Sequence, residues 1–177
     1  MSQQKLTLRY LNEDDRAYGL AGMVISLASL DAIDKVAQVS LDAEGPMVEF
    51  SHEYYFSGSP SISPKSTWGN LVENFHLTTS MVVSNILARS IVRLKEDAPE
   101  SILKEIYGEV EKEGIDTCAL EEDEIETLYN KALMRSLKLF RNRRLHPAVD
   151  EFARIISVKR QLSGREIIDE LHLLELI

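Results

Sequence analysis

Between Glu121 and about Asn142 the apolar residues Ile125, Leu128, Tyr129, Ala132, Leu133, Leu137 and Phe140 keep to one face of a 3.6-residue period. That spacing predicts an amphipathic helix, the best-patterned element of the chain. Other helices read less sharply. Asn12 can cap a helix that runs to about Lys35, with Glu13, Asp14 and Asp15 in its first turn and Ala17, Leu20, Ala21, Val24, Leu27 and Ala28 at helical spacing. Gly19 and Gly22 lie three apart on it, which suggests a close contact with another element. Ser66 or Thr67 can start a long helix through about Lys95, apolar on most sides and therefore central. Asp97 caps the next one, with Pro99 in its first turn and a stop at Gly114; Pro147 opens another, and Ser163 caps the last.

Elsewhere the period is two. Leu6, Leu8 and Tyr10 alternate with Lys5, Thr7 and Arg9, the signature of a half-buried strand. Val39 and Leu41 alternate as well, Asp42 to Pro46 reads as a turn, and Val48, Phe50, His52, Tyr54 and Phe56 then share a face, which predicts a hairpin. Ser57 to Pro64 sustains neither helix nor central strand and reads as a crossing loop. The expectation is a mostly helical α+β fold in a single domain, 1–177. A small amino-terminal three-stranded antiparallel or mixed sheet (about 5–10, 36–41 and 47–56) packs against about five carboxyl-terminal helices.

Composition adds limits. A chain of 177 residues, 44% hydrophobic, is long enough to bury its own core. The one cysteine, Cys118, rules out an intrachain disulfide framework, and the opening MSQQKLTLRY lacks the apolar core of a secretory signal; a cytoplasmic location is expected. The longest charge-free stretches, Ala17 to Leu30 and Asn74 to Ala88, fall short of the roughly 20 residues of a membrane span.

Candidate chemistry is sparse. Glu73-x-x-His76 and Asp169-x-x-His172 each put a carboxylate one turn before a histidine, as carboxylate-bridged di-metal bundles do. The lone glutamates that complete such a site are missing from the middle of the first helix, so no metal and no other cofactor is expected. His52 and Glu53 are strand neighbours on opposite faces and cannot share an acid/base site. Glu121 to Glu124 follow Cys118 and disfavour a thiolate. No phosphate-cradling glycine loop, nucleophile elbow or metalloprotease motif occurs, and no residue set has a catalytic pattern.

Charge changes the picture most. The net charge of -9 is unevenly spread: ten of the twenty basic residues fall between Lys131 and Arg165, opposed only by Asp150 and Glu151, while the remainder is acidic. Acidic residues at the start of the Glu121 helix and basic ones at its end match the helix dipole and need no ligand. Lys131, Arg135 and Lys138 nevertheless stand next to one another on the face opposite the apolar stripe, where like charges cost a few tenths of a kcal/mol per pair. Something anionic should offset them. Lys131, Arg135, Lys138, Arg143 and Arg144 are therefore the candidate anion- or partner-binding residues, and Arg143, Arg144 and His146 before Pro147 form the candidate anion pocket. The reading is an interaction or structural module that self-associates through complementary acidic and basic faces as a homo-oligomer. The alternative is an accessory protein binding nucleic acid or another polyanion through 131–165, disfavoured by a pI near 5.0 and by the lack of aromatics among the arginines. A metal-dependent enzyme through Glu73 and His76 is the distant third.

Overall fold

Helix α1 (Glu13–Ser29) begins where the Asn12 side chain accepts the Asp15 N–H at 2.8 Å, with the acidic first turn its sequence predicts. The structure is a computed structural model that describes residues 5–51 and 64–177, with backbone alone at 64–68. Among the described residues the fold is α+β and mostly helical, with six α-helices and a three-stranded antiparallel sheet. After α1 come β1 (Val36–Ser40), β2 (Val48–Phe50) and α2 (Pro64–Leu87), which continues as a π-helical turn, Ala88–Leu94. Then follow α3 (Glu100–Cys118), α4 (Glu122–Phe140), α5 (His146–Lys159), β3 (Gln161–Ser163) and α6 (Gly164–Leu173). His52, Tyr54, Phe56 and the crossing loop before Pro64 lie outside the described residues.

Helix α1 is the hub. Ala17, Leu20, Ala21, Val24 and Leu27 are wholly buried, and the helix packs mainly on α2 and α5. A Cβ on Gly22 would stand 2.5 Å from the Ser84 carbonyl oxygen and 2.6 Å from the Ala88 Cβ, and one on Gly19 would meet the Asn85 amide at 2.7 Å. The two glycines therefore mark the α1–α2 crossing, as their spacing implies. Helix α4 lies on another side of α2, α3 packs on both, and the Tyr18 hydroxyl donates to Asp150 of α5 at 2.7 Å.

Several expected elements come out differently. Helix α1 ends at Ser29 rather than near Lys35, with Ile33–Lys35 a separate 3-10 turn, and α3 has Pro99 at its N-cap with no side-chain cap, Asp97 accepting from Arg141 instead. Residues 5–10 form no strand; the third strand is β3, far along the chain, and the order is β2-β1-β3. Val39 sits opposite Val48 on one side and Leu162 on the other. The alternation at 5–10 is real, with Leu6 buried and Lys5, Thr7 and Arg9 exposed. However, the Thr7 and Arg9 carbonyls accept from Arg89 Nη2, at 2.9 and 3.0 Å, rather than from a neighbouring strand. Helix α3 also runs through Gly114 to Cys118. Gly114 is buried there because a Cβ would meet Ile125 of α4 at 2.8 Å and Phe75 of α2 at 3.1 Å; the left-handed residue that ends the helix is Ala119.

At the other end of the chain Ser163 and Glu166 form the capping box of α6: Ser163 Oγ accepts the Glu166 N–H at 3.3 Å and Glu166 accepts the Ser163 N–H at 2.8 Å. Ser163→Ala should therefore lower stability by about 1 kcal/mol in urea unfolding. An unchanged midpoint would mean that α6 starts elsewhere.

Candidate functional site

The apolar stripe of α4 does what its spacing predicts: Ile125, Tyr129, Ala132, Ser136 and Phe140 are buried, and Glu121 and Glu124 form a capping box at its start. Ser136 Oγ lies 2.9 Å from Ser84 Oγ, which fixes that face against α2. The opposite face then points away from the bundle, carrying Lys131, Met134, Arg135 and Lys138, all exposed, with Met134 67% exposed at their centre.

The basic segment divides in two. Three of its later members are paired within the fold: Arg154 with Glu151, Lys159 with Glu170 at 2.8 Å, and Arg160 with both Glu13, at 2.6 Å, and Asp42, whereas Arg165 is exposed with no carboxylate in ion-pair reach among the described residues. The flanking Arg141 reaches Asp97 at 3.2 Å. Among the described residues, Lys131, Arg135, Lys138, Arg143 and Arg144 have no carboxylate within ion-pair reach. Arg135 donates instead to the Ser29 carbonyl, at the negative end of α1, so a helix terminus supplies one part of the anionic environment the stripe calls for. Arg143 and Arg144 sit exposed in the turn before α5.

The turn itself offers an anion little. Pro147 has no N–H, the His146 N–H goes to the Arg143 carbonyl at 3.3 Å, and the Val149 N–H goes to the Leu145 carbonyl at 3.1 Å, which leaves the Ala148 N–H of the first turn without a partner among the described residues. His146 Nε2 donates to the Phe140 carbonyl at 2.7 Å and so closes the end of α4.

Complementary acidity lies close by. Glu111, Glu121, Glu122, Asp123 and Glu126 surround an open cleft of about 670 Å³ between α3 and the start of α4, with half-exposed Ile115 in it. On the far side of α3, Glu109 and Glu113 rim a smaller apolar notch.

Glu73 pairs with Lys35 at 3.4 Å. His76 is half-buried, and its Nδ1 has no partner among the described residues; burial, then the charges of Lys131 and Arg135, push its pKa down against the pull of Glu73. His172 Nδ1 lies 3.2 Å from the Ile177 carbonyl. Among the described residues no three metal-capable side chains converge. Cys118 is buried, and burial followed by the Glu113 charge raises its thiol pKa, which opposes thiolate chemistry. No described helix is long and apolar enough to cross a membrane.

A polar centre lies apart from these candidates. Asp15 and Arg89, both with fully buried side chains, form an ion pair through Arg89 Nε at 2.9 Å and Nη2 at 2.6 Å. The Tyr10 ring lies 4.8 Å from the Arg89 guanidinium and its hydroxyl accepts from Asn85 at 2.7 Å. Arg93, on the same π-helical turn, reaches Asp14 at 2.7 Å and Asp15 at 3.5 Å. These groups hold the amino-terminal segment onto the bundle. The signal in the sequence was an arginine inside a helix otherwise apolar on most sides.

No family model, curated protein or solved structure matches this chain.

Proposed function

We propose that this protein is an interaction module that associates with copies of itself through complementary acidic and basic faces. The observation that carries the reading is the state of Lys131, Lys138, Arg143 and Arg144: exposed, crowded, and without a carboxylate among the described residues, while Arg154 and Arg160 of the same segment are paired. A copy of this chain offers exposed carboxylates in excess, along α3 and the start of α4. Charge complementarity of this kind sets orientation and association rate and weakens with salt. A cytoplasmic location accords with the single, buried Cys118.

Light scattering on the full chain tests this. At about 0.01 M salt, where the Debye length is about 30 Å, the molar mass should rise with protein concentration. At about 1 M, where it is about 3 Å, the mass should fall toward the monomer. A monomer under both conditions would sink the proposal. So would a monomer that instead binds a DNA duplex at low salt, which would mark the basic stripe as a polyanion surface.

A further inference from the structure

The exposed outer face of α4 and a small notch between α2 and α3 have complementary chemistry. Met134 projects from α4 with Lys131, Arg135 and Lys138 within one turn of it. The notch between α2 and α3, about 120 Å³, is lined by Phe75, Thr78, Thr79, Val82 and Val110, nearly all apolar surface. Phe75, Thr79 and Val110 are buried, and Val82 is 43% exposed. Glu109 and Glu113 stand on its rim, exposed and four apart on α3, where like charges repel, and no cation pairs with either among the described residues.

We infer that copies of this chain join head to tail, with Met134 of one copy seated in the α2–α3 notch of the next and the neighbouring Lys131 and Lys138 against Glu109 and Glu113. The inference rests on the self-association proposed above and gives it a geometry. An unbranched thioether adapts well to a small irregular apolar gap, and the charged rim fixes its orientation. Ser136 of α4 and Ser84 of α2 face each other at 2.9 Å, and Met134 and Val82 each lie two residues earlier, roughly half a helical turn away. Knob and notch thus point to opposite sides of the α2–α4 layer. Two different patches pointing apart make a heterologous contact, which extends into a chain or closes into a ring instead of stopping at two copies. The contact area is small, so association should be weak and concentration-dependent.

The test uses two full-length variants at exposed positions, Met134→Glu and Val82→Glu, with folding checked by thermal unfolding and mass read by sedimentation velocity at low salt. Each variant alone should be monomeric. Mixed in equal amounts they should give a species of twice the monomer mass and nothing larger, because one intact knob meets one intact notch. If the parent chain associates while Val82→Glu associates equally well, or the mixture stays monomeric, this geometry is wrong and self-association stands. If the parent chain is monomeric at every salt concentration, both fail.

Discussion

Asp15→Ala is expected to lower the stability of the fold by about 3–5 kcal/mol, read as a shift in the urea midpoint at constant slope. The reason is what the change leaves behind. The Arg89 guanidinium is wholly buried and its Nη1 has no partner among the described residues, so removing the carboxylate leaves a buried charge with only the Thr7 and Arg9 carbonyls to face it. Replacing both residues with apolar ones, Asp15→Leu with Arg89→Met, should recover much of that loss, because the uncompensated charge goes with its partner. A single variant within about 0.5 kcal/mol of the parent, the range of ordinary surface changes, would show that the pair is not buried in solution.

The same pair gives the acid limb of stability its sign. Burial alone would raise the Asp15 pKa, but the Arg89 hydrogen bond, the Leu11 N–H and the charges of Arg89 and Arg93 together outweigh it and hold the carboxyl below 3.8. A depressed carboxylate contributes stability that is fully present above its unfolded pKa and is lost as the pH falls through the folded value. Stability should therefore decline below about pH 4 in the parent, and less steeply in the Asp15→Leu/Arg89→Met pair.

Gly22→Ala should destabilise by about 1–3 kcal/mol although alanine is the better helix former. The added methyl meets the Ser84 carbonyl oxygen and the Ala88 methyl, and neither can yield unless α1 and α2 separate. Gly108 gives the control: it is exposed within α3, with nothing within 4 Å of a built Cβ. Gly108→Ala should therefore stabilise by about 0.5–1 kcal/mol. Equal signs for the two substitutions, by thermal or urea unfolding, would contradict the crossing described for α1 and α2.

Periodicity and caps made much of this fold legible. The α4 stripe, the Asn12 and Ser163 caps and the Gly19/Gly22 contact follow from local physics that needs only residues close in sequence. What local physics does not contain is partner choice. Residues 5–10 alternate as a strand does, yet their carbonyls go to Arg89, and β3, three residues long, is too short to show a period. Gly114 looks like a helix stop because nothing nearby in sequence announces Ile125 and Phe75 against it. The candidate surface divides in the same way. An outward Lys131–Arg135–Lys138 stripe could be read from helical spacing, whereas the meeting of Arg135 with the Ser29 carbonyl depends on how α4 lies beside the end of α1.

On the proposed reading, Lys131 and Lys138 of α4 drive association between copies. Sedimentation velocity of the parent chain beside Lys131→Glu/Lys138→Glu, at about 0.01 M salt over a range of protein concentrations, addresses it directly. Both positions are exposed, so the fold should survive the exchange. The parent should grow with concentration and the double variant should stay monomeric. Equal growth in both, or none in the parent, would contradict it.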